Sequence, residues 1–502
     1  MSAMDSSADR EGASAAPEPP VPFYGYVWPE VARPDDAEDK SDAFSLPSLD
    51  EEERGVAPER DDRPNPRRQI EQWDRERAER VAQRRQASTG FARVVQNIIP
   101  YGSIPASAFN LASSTIGAGI ISLPSAWQYS GAAMAVVYSV IFYLLTVFSV
   151  YCMGKAAQAT GVRNYPKNVE LLLGRFAGYI LAVILFISSF GGQISYVISL
   201  HDIMIAFLDD AASTPAYLKT TSGQRLITGI IWLCVMLPLC IPKEVNSLRY
   251  FSTAAVSIIV YFVITMIIHS CQNGIKTGAY KEMVMFQTGN TAVCGIAIFI
   301  FAFGCQLNVF EVFGELYKPT MRRLTITSFV ASGGCFVLYV LAGLFGYMDF
   351  GSAVTGSALK LYNPVKSPMM GIGYAGLMLK LSVAYGMHSI PVRECAYHVL
   401  GLECQTLAYW KHALIVTFLA LCSLILGLFI PNVNVVFGIS GGLCGGFIAI
   451  LFPGLMYMYS GNFTRKSVGS FDYFAAYLLV IVGAICIVWG TGGTVYSEVL
   501  NW

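Results

Sequence analysis

Eleven stretches of this chain stay apolar for long enough to cross a hydrocarbon layer, which takes about 17–25 helical residues. They lie near 103–127, 131–154, 176–207, 224–242, 249–271, 290–316, 324–348, 369–397, 409–430, 432–458 and 472–495. The pattern predicts an all-α integral membrane protein of eleven transmembrane helices, over residues 96–502. The first 95 residues are rich in Pro, Asp, Glu, Arg and Ser, too polar to build a core, and read as a disordered or partly helical hydrophilic cytoplasmic tail.

Two of the apolar stretches are interrupted. The first contains NLASSTIGAGIISLP at 110–124, which places GAG at 117–119 in mid-span; the sixth is broken by Gly304, Gln306 and Asn308. Irregular backbone at membrane depth is tolerated only where it is buried in protein or lines a cavity, and a matched pair of broken spans points to a transporter site. A spacing of five spans predicts a five-plus-five inverted repeat with an eleventh helix appended. Unwinding frees amides around Ile116 to Ile120, the positive end of a half-helix suited to a carboxylate. Freed carbonyls from Phe301 to Gly304 suit an ammonium group, and the two together describe an α-amino acid. Glycine relaxes the backbone and lets ligand atoms approach. The competing explanation for GAG is a close-packing surface between helices; the second break favours the binding site.

Composition sharpens the class. The chain is 54% hydrophobic and 14% charged, against roughly one-quarter charged in soluble domains. Its formal net charge of +0 conceals an asymmetry: residues 1–60 hold 15 acids and 5 bases. Thirteen Lys and Arg fall in alternate connections starting with the first side and six in the others, which places the amino terminus in the cytoplasm and the carboxyl terminus outside. The start of the chain lacks a cleavable signal pattern, and the plasma membrane is the expected location. The run EQWDRERAERVAQRRQ at 71–86 predicts a short charged helix with Glu71/Arg75 and Glu76/Arg80 pairs, its faces solvated or docking a soluble partner. Twelve cysteines sit almost wholly in apolar segments without metal-ligand spacing, so they read as packing residues rather than disulfides or a metal site.

FNLASSTIGAGIISLPSAWQYSG at 109–131 resembles the first-helix signature of the amino acid/auxin permease family, which includes the sodium-coupled neutral amino acid transporters, and looks most like its trypanosomatid branch. FAFGCQLNVFEVFGEL at 301–316 is similar to that family's sixth-helix pattern, and PVR at 391–393 to its Pro-Ile-Arg near the inner end of helix eight. The resemblance covers about residues 95–500. It implies a LeuT-like inverted-repeat permease in which Thr115, Ile116, Gly117, Ala118 and Gly119 hold a carboxylate, Phe303 gates near the amine, and Glu315 supports the inner half of helix six. Phe301, Gly304 and Asn308 complete the expected substrate site. The chain also departs from the pattern: sodium-coupled relatives carry Asn where Ser114 stands and Thr where Ala384 stands. A sodium site would lose an oxygen ligand at Ala384, which favours proton-coupled or uncoupled transport.

Ionisable groups at membrane depth are costly and therefore suggest function. Lys380 lies in LMLKLSVAY, one turn from Ala384 on the same face, and its ammonium is a candidate replacement for the missing sodium ion; snorkelling to the outer surface is the alternative. Glu311 stands where sodium-coupled relatives have Pro. It is a candidate for selecting a cationic substrate such as arginine or lysine or for taking a coupling proton, against a structural pairing with Arg322 or Arg323. Histidine as a residue type ordinarily titrates in the right range for coupling, which makes His388 a candidate, but a pore-lining histidine without that duty is the simpler reading. Asp202 is expected to face water or His201, and Asp349 to sit at a helix end.

Two function classes remain: an amino acid permease, and a sensor of the same fold that reports through its tail to a soluble partner. Expected partners are the amino acid, a coupling proton and the lipid bilayer, with no nucleic acid and no cofactor. No nucleotide-binding Gly-Lys motif, metal cluster or nucleophile–base pair supports an enzyme, and no filter-like repeat or charge ring supports a channel.

Overall fold

Each of the eleven apolar stretches is helical in the computed structural model, which describes residues 66–87, 100–210, 215–242, 251–288, 290–354, 356–400, 402 and 407–500. A charged helix, α1 (Pro66–Ala87), precedes them. The first span is split into α2 (Ile104–Thr115) and α3 (Gly119–Ser130), which meet at 66°. Then come α4 (Ala132–Thr160), the short α5 (Tyr165–Leu173), α6 (Arg175–Asp210), α7 (Thr221–Cys240) and α8 (Phe251–His269). The sixth stretch is α9 (Asn290–Ala302) followed by α10 (Val309–Glu315). The remaining helices are α11 (Met321–Phe350), α12 (Pro368–Leu400), α13 (Tyr409–Phe429), α14 (Val433–Tyr459) and α15 (Ser470–Leu500).

Among the described residues, nine helices are long and apolar enough to cross a membrane, ten when α2 and α3 are counted as one span. α12 falls outside that count. It is 33 residues long but carries Lys380, His388, Arg393 and Glu394, which belong to a cavity rather than to lipid. Its polarity is tolerable because a helix at membrane depth can turn such groups toward protein or water. Elsewhere the surface is apolar, with Leu414, Phe418, Phe429 and Val488 all exposed; this is the expected outside of a protein solvated by lipid rather than water.

Local sequence fixes the helix ends. Ser103, Asn164, Thr220 and Thr320 each place a side-chain oxygen on an amide in the first turn of the helix that follows, the role for which Ser, Thr and Asn are selected. Gly161 ends α4 in the left-handed conformation at φ +69°. α11 packs along both halves of the first span. It can approach α3 because Gly343 and Gly346 leave room: an added Cβ would come within 2.2 Å of Trp127 and 2.5 Å of Pro124 respectively. Helix α14 contains a wide π-helical stretch, Ile439–Leu451, beside the break in the sixth span. Wide turns of this kind are frequent at functional sites.

The charged helix α1 is docked, not solvated. Trp73 and Arg77 are buried. Trp73 meets Phe313 of α10 edge to face at 6.2 Å, and the Arg163 guanidinium lies 4.4 Å from the centre of its indole. Arg77 donates to the Leu316 carbonyl at 2.7 Å, at the end of α10. Glu76 pairs with Arg163 at 3.1 Å and accepts from Gln72 of its own helix at 3.0 Å; the Arg80 side chain lies outside the described residues. The density of charge on α1 makes it read as solvated, whereas its one tryptophan, Trp73, is the side chain the core takes up.

Two acidic groups are also placed differently. Asp202 does not face water: it is buried and pairs with Lys360 at 3.1 Å, while His201 bonds the Thr228 hydroxyl at 3.0 Å. Asp349 is indeed near the end of α11, but it is buried and held by His269 at 2.6 Å. On that same face Glu282 accepts the Ser352 hydroxyl at 2.7 Å, a bond that holds its carboxyl below the usual range. The connection between α11 and α12 is thereby pinned to α6 and to the 279–282 turn.

Replacing Trp73 with Ala removes the buried anchor of α1, and large aromatic truncations cost about 3 kcal/mol. Amide exchange across 66–87 should therefore accelerate by roughly a hundredfold, measured by hydrogen–deuterium exchange on the purified protein. An unchanged rate would mean that Trp73 does not anchor the helix.

Candidate functional site

The break in the first span is a short unwound segment, Ile116 to Ala118. Ile116 still donates its amide to the Ala112 carbonyl at 2.9 Å, but its ψ of 88° turns the chain out of the helix. α3 restarts at Gly119 with no side chain capping its amino end, so its first amides and their positive end face the gap. In the sixth span α9 stops at Ala302. Gly304 closes a tight turn onto the Phe301 carbonyl at 3.2 Å, and Gln306 caps the Cys305 amide at 2.9 Å before α10 begins.

Freed carbonyls at these breaks are held by side chains from two other helices. The Lys380 ammonium, buried on α12, donates to the Ile116 carbonyl. Tyr339 of α11, fully buried, lies with its hydroxyl 3.1 Å from the Thr115 carbonyl and 2.8 Å from the Ala302 carbonyl. Sequence reasoning singled out Lys380 because a charge inside an apolar run is conspicuous. It passed over Tyr339, because a tyrosine in a membrane helix carries no comparable signal.

A cavity of about 750 Å³ leads to the breaks, within the usual range for small-molecule sites. Ser114, Ile116, Gly117, Asn308, Glu311, Lys380, Ala384 and His388 line it. Its mouth is formed by Arg163 to Pro166, Glu170, Arg175, Arg393 and Glu394. These are on the face that the Lys and Arg distribution assigns to the cytoplasm. Lys380, Ala384 and His388 follow at four-residue spacing, one stripe of α12. The His388 ring donates its Nδ1–H to the Ala384 carbonyl at 3.0 Å and packs edge to face on Tyr196 at 5.1 Å. A smaller recess of about 70 Å³ continues inward between the two breaks, lined by Ser114, Thr115, Gly117, Tyr196, Phe301, Gly304 and His388 with Ser440 and Ala449 of α14.

The predicted site residues divide accordingly. Ser114, Thr115, Ile116, Gly117, Phe301, Gly304, Asn308, Glu311, Lys380 and His388 come together around the cavity and its recess. Ala118, Gly119 and Phe303 do not. Ala118 is fully buried. Gly119 is a packing glycine, since an added Cβ would stand 3.0 Å from the Ala302 Cα. Phe303, placed by resemblance as a gate, turns away to meet Tyr339 edge to face at 5.1 Å; Phe301 faces the recess instead, its ring tilted against Phe437 at 4.6 Å. The two glycines of GAG are therefore placed differently: Gly117 lines the cavity, and Gly119 packs against α9. Ser114 and Thr115 spend their hydroxyl protons on the Leu111 carbonyl, at 2.8 and 2.7 Å. Glu315 is buried below the cavity and accepts from Asn110 at 3.4 Å, joining the inner halves of the two broken spans.

Residues 101–496 match the family described as transmembrane amino acid transporter protein. The chain belongs to that family. It is 24% identical over 424 residues to sodium-coupled neutral amino acid symporter 2 of Danio rerio, covering 79% of this chain and 82% of the relative. It is likewise 24% identical over 366 residues to vacuolar amino acid transporter 5 of Schizosaccharomyces pombe, covering 70% and 83%. A third relative is amino acid transporter AVT6E of Arabidopsis thaliana, at 22% identity over 411 residues, covering 79% and 83%. The protein is thus a multi-pass membrane protein of an amino acid transporter family, not an enzyme.

The division of the glycines makes a direct prediction. Gly117→Ala, whose new Cβ would lie 3.5 Å from the Tyr196 hydroxyl, should fold normally yet lose at least tenfold in uptake. Gly119→Val should instead lower the yield of folded protein, because its branches would press on the α9 backbone. Size-exclusion profiles and uptake measured side by side separate the two effects.

Proposed function

We propose that the protein carries α-amino acids across a membrane by alternating access, with the substrate seated between the two broken spans. The observation that carries this reading is the opposed pair of helix ends at the recess. The uncapped amino end of α3 suits the carboxylate, and the carbonyl end of α9 beside Phe301 and Gly304 suits the ammonium. Phe301 and Tyr196 supply the apolar and aromatic wall. The cavity opens on one face only: its lining includes no described residue of 276–288 or 351–367. With the amino terminus in the cytoplasm, this geometry corresponds to an inward-facing state. In the same reading α12 is the eighth of eleven crossings, arranged as two inverted groups of five plus α15, in the plasma membrane.

Lys380 takes the place of a coupling sodium ion. Its ammonium reaches the carbonyl that the break in the first span leaves free, and Ala384 offers no side-chain oxygen one turn away. Proton-coupled or uncoupled transport follows. Glu311 biases the cavity toward cationic substrates: it lines the vestibule together with a second carboxylate, Glu394.

A second reading, a sensor that signals through its tail, is favoured by the docking of α1 on α10. A segment gripping the inner half of a broken span is positioned to register its movement. Deleting residues 1–95 separates the readings, since a pure transporter should retain its substrate range and a tail-reporting sensor should lose its response.

Uptake into liposomes, competed by each of the twenty amino acids with and without sodium and at two pH values, tests the proposal. Competition by α-amino acids without sodium dependence is expected; sodium-driven uptake would overturn the role given to Lys380. Lys380→Met should abolish uptake in folded protein. Glu311→Gln should lower arginine uptake relative to alanine by about tenfold, equivalent to roughly 1.4 kcal/mol of lost discrimination, and an unchanged ratio would remove Glu311 from substrate selection.

A further inference from the structure

Tyr339 stands between the two breaks and touches both. Its hydroxyl faces the Thr115 carbonyl, the last residue of α2, at 3.1 Å and the Ala302 carbonyl, the last residue of α9, at 2.8 Å. A phenol has one proton to donate, so two carbonyl acceptors must share it. Each of these carbonyls terminates a helix and lacks its usual partner further along the chain. The ring itself is clamped: the residue has no exposed surface, and Phe303, one residue beyond Ala302, meets it edge to face at 5.1 Å. α11 carries it unbroken along both halves of the first span. The spacing between the two breaks is thus set from a third, continuous helix.

We infer that Tyr339 is a positioning residue for transport: its shared proton holds the two helix breaks in register, and the affinity for the amine end of the substrate depends on that register. Neither Tyr339 nor Ala302 lines the cavity or its recess, whereas Thr115 and Phe301 beside them line the recess, so the phenol acts on the substrate through the position of the two helix ends. The inference rests on the amino acid reading of the recess, but the geometry of the breaks can be tested without any substrate.

The experiment compares Tyr339→Phe with Tyr347→Phe in the full chain reconstituted into liposomes. Tyr347 is a buried tyrosine on the same helix whose hydroxyl instead accepts the Val284 amide at 3.1 Å, far from the recess. Initial uptake of L-alanine and L-arginine gives KM and turnover per folded transporter. Site-resolved maleimide labelling of Cys305 and Cys335, both buried beside the breaks, reports their looseness without substrate. Tyr339→Phe should raise KM about tenfold while turnover stays within about twofold, and should speed labelling of Cys305; Tyr347→Phe should change neither. Unchanged KM and labelling in Tyr339→Phe would overturn the inference, as would a loss of folded protein with unchanged KM in what remains. Faster labelling in a protein whose wild type carries neither amino acid would support the positioning role and reject the substrate reading.

Discussion

A helix interrupted inside a membrane leaves carbonyls that neither water nor lipid can satisfy, each worth several kcal/mol if left bare. Everything around the site in this protein follows from finding donors for them. Lys380 reaches the Ile116 carbonyl and Tyr339 the carbonyls of Thr115 and Ala302. Those donors sit on continuous helices, α11 and α12, so the irregular backbone is braced by regular elements. The same bracing keeps the recess open, because donors that arrive from the side leave the gap between the helix ends unfilled.

The inner half of the sixth span is the most heavily tethered part of the site. α10 has only seven residues, too few to be stable alone. It is tied to α2 through Asn110 and Glu315, to the chain before α2 through the Tyr317 amide on the Gly102 carbonyl at 2.8 Å, and to α1 through Trp73 and Arg77. Gly102 adopts φ +78° there, and a Cβ would stand 2.6 Å from the Glu315 carbonyl, so glycine is required at that crossing. On the opposite face Asp202 and Lys360 tie the α11–α12 connection to α6.

Much of this was legible in the sequence, for identifiable reasons. Apolar run length located the long helices, nine or ten of which among the described residues are long and apolar enough to cross a membrane, since the length of a span is dictated by the bilayer. The breaks were visible because glycine and polar residues are rare at mid-span, and Lys380 because a charge there is rarer still. What escaped was pairing between distant residues: Asp202 with Lys360, Arg77 with Leu316, Tyr339 with two carbonyls. Nothing local marks a residue as the partner of another that lies 37 to 239 positions away. The distinction between Gly117 and Gly119 escaped for a related reason, since which of two neighbouring glycines faces a cavity depends on how the chain turns between them. Resemblance misplaced Phe303 for the same cause, as two aromatic residues two positions apart point to different sides.

The covalent tether of the Lys380 ammonium has a thermodynamic consequence. A free sodium ion binds on one side and departs on the other, and its descent down a gradient performs work on the cargo. A cation fastened to α12 never changes compartment, so it can steady the broken span through every cycle while extracting no energy from any sodium difference. On the role proposed for Lys380, concentrative power comes from something that does travel: a counter-moving solute, a proton, or a charged substrate following the membrane potential.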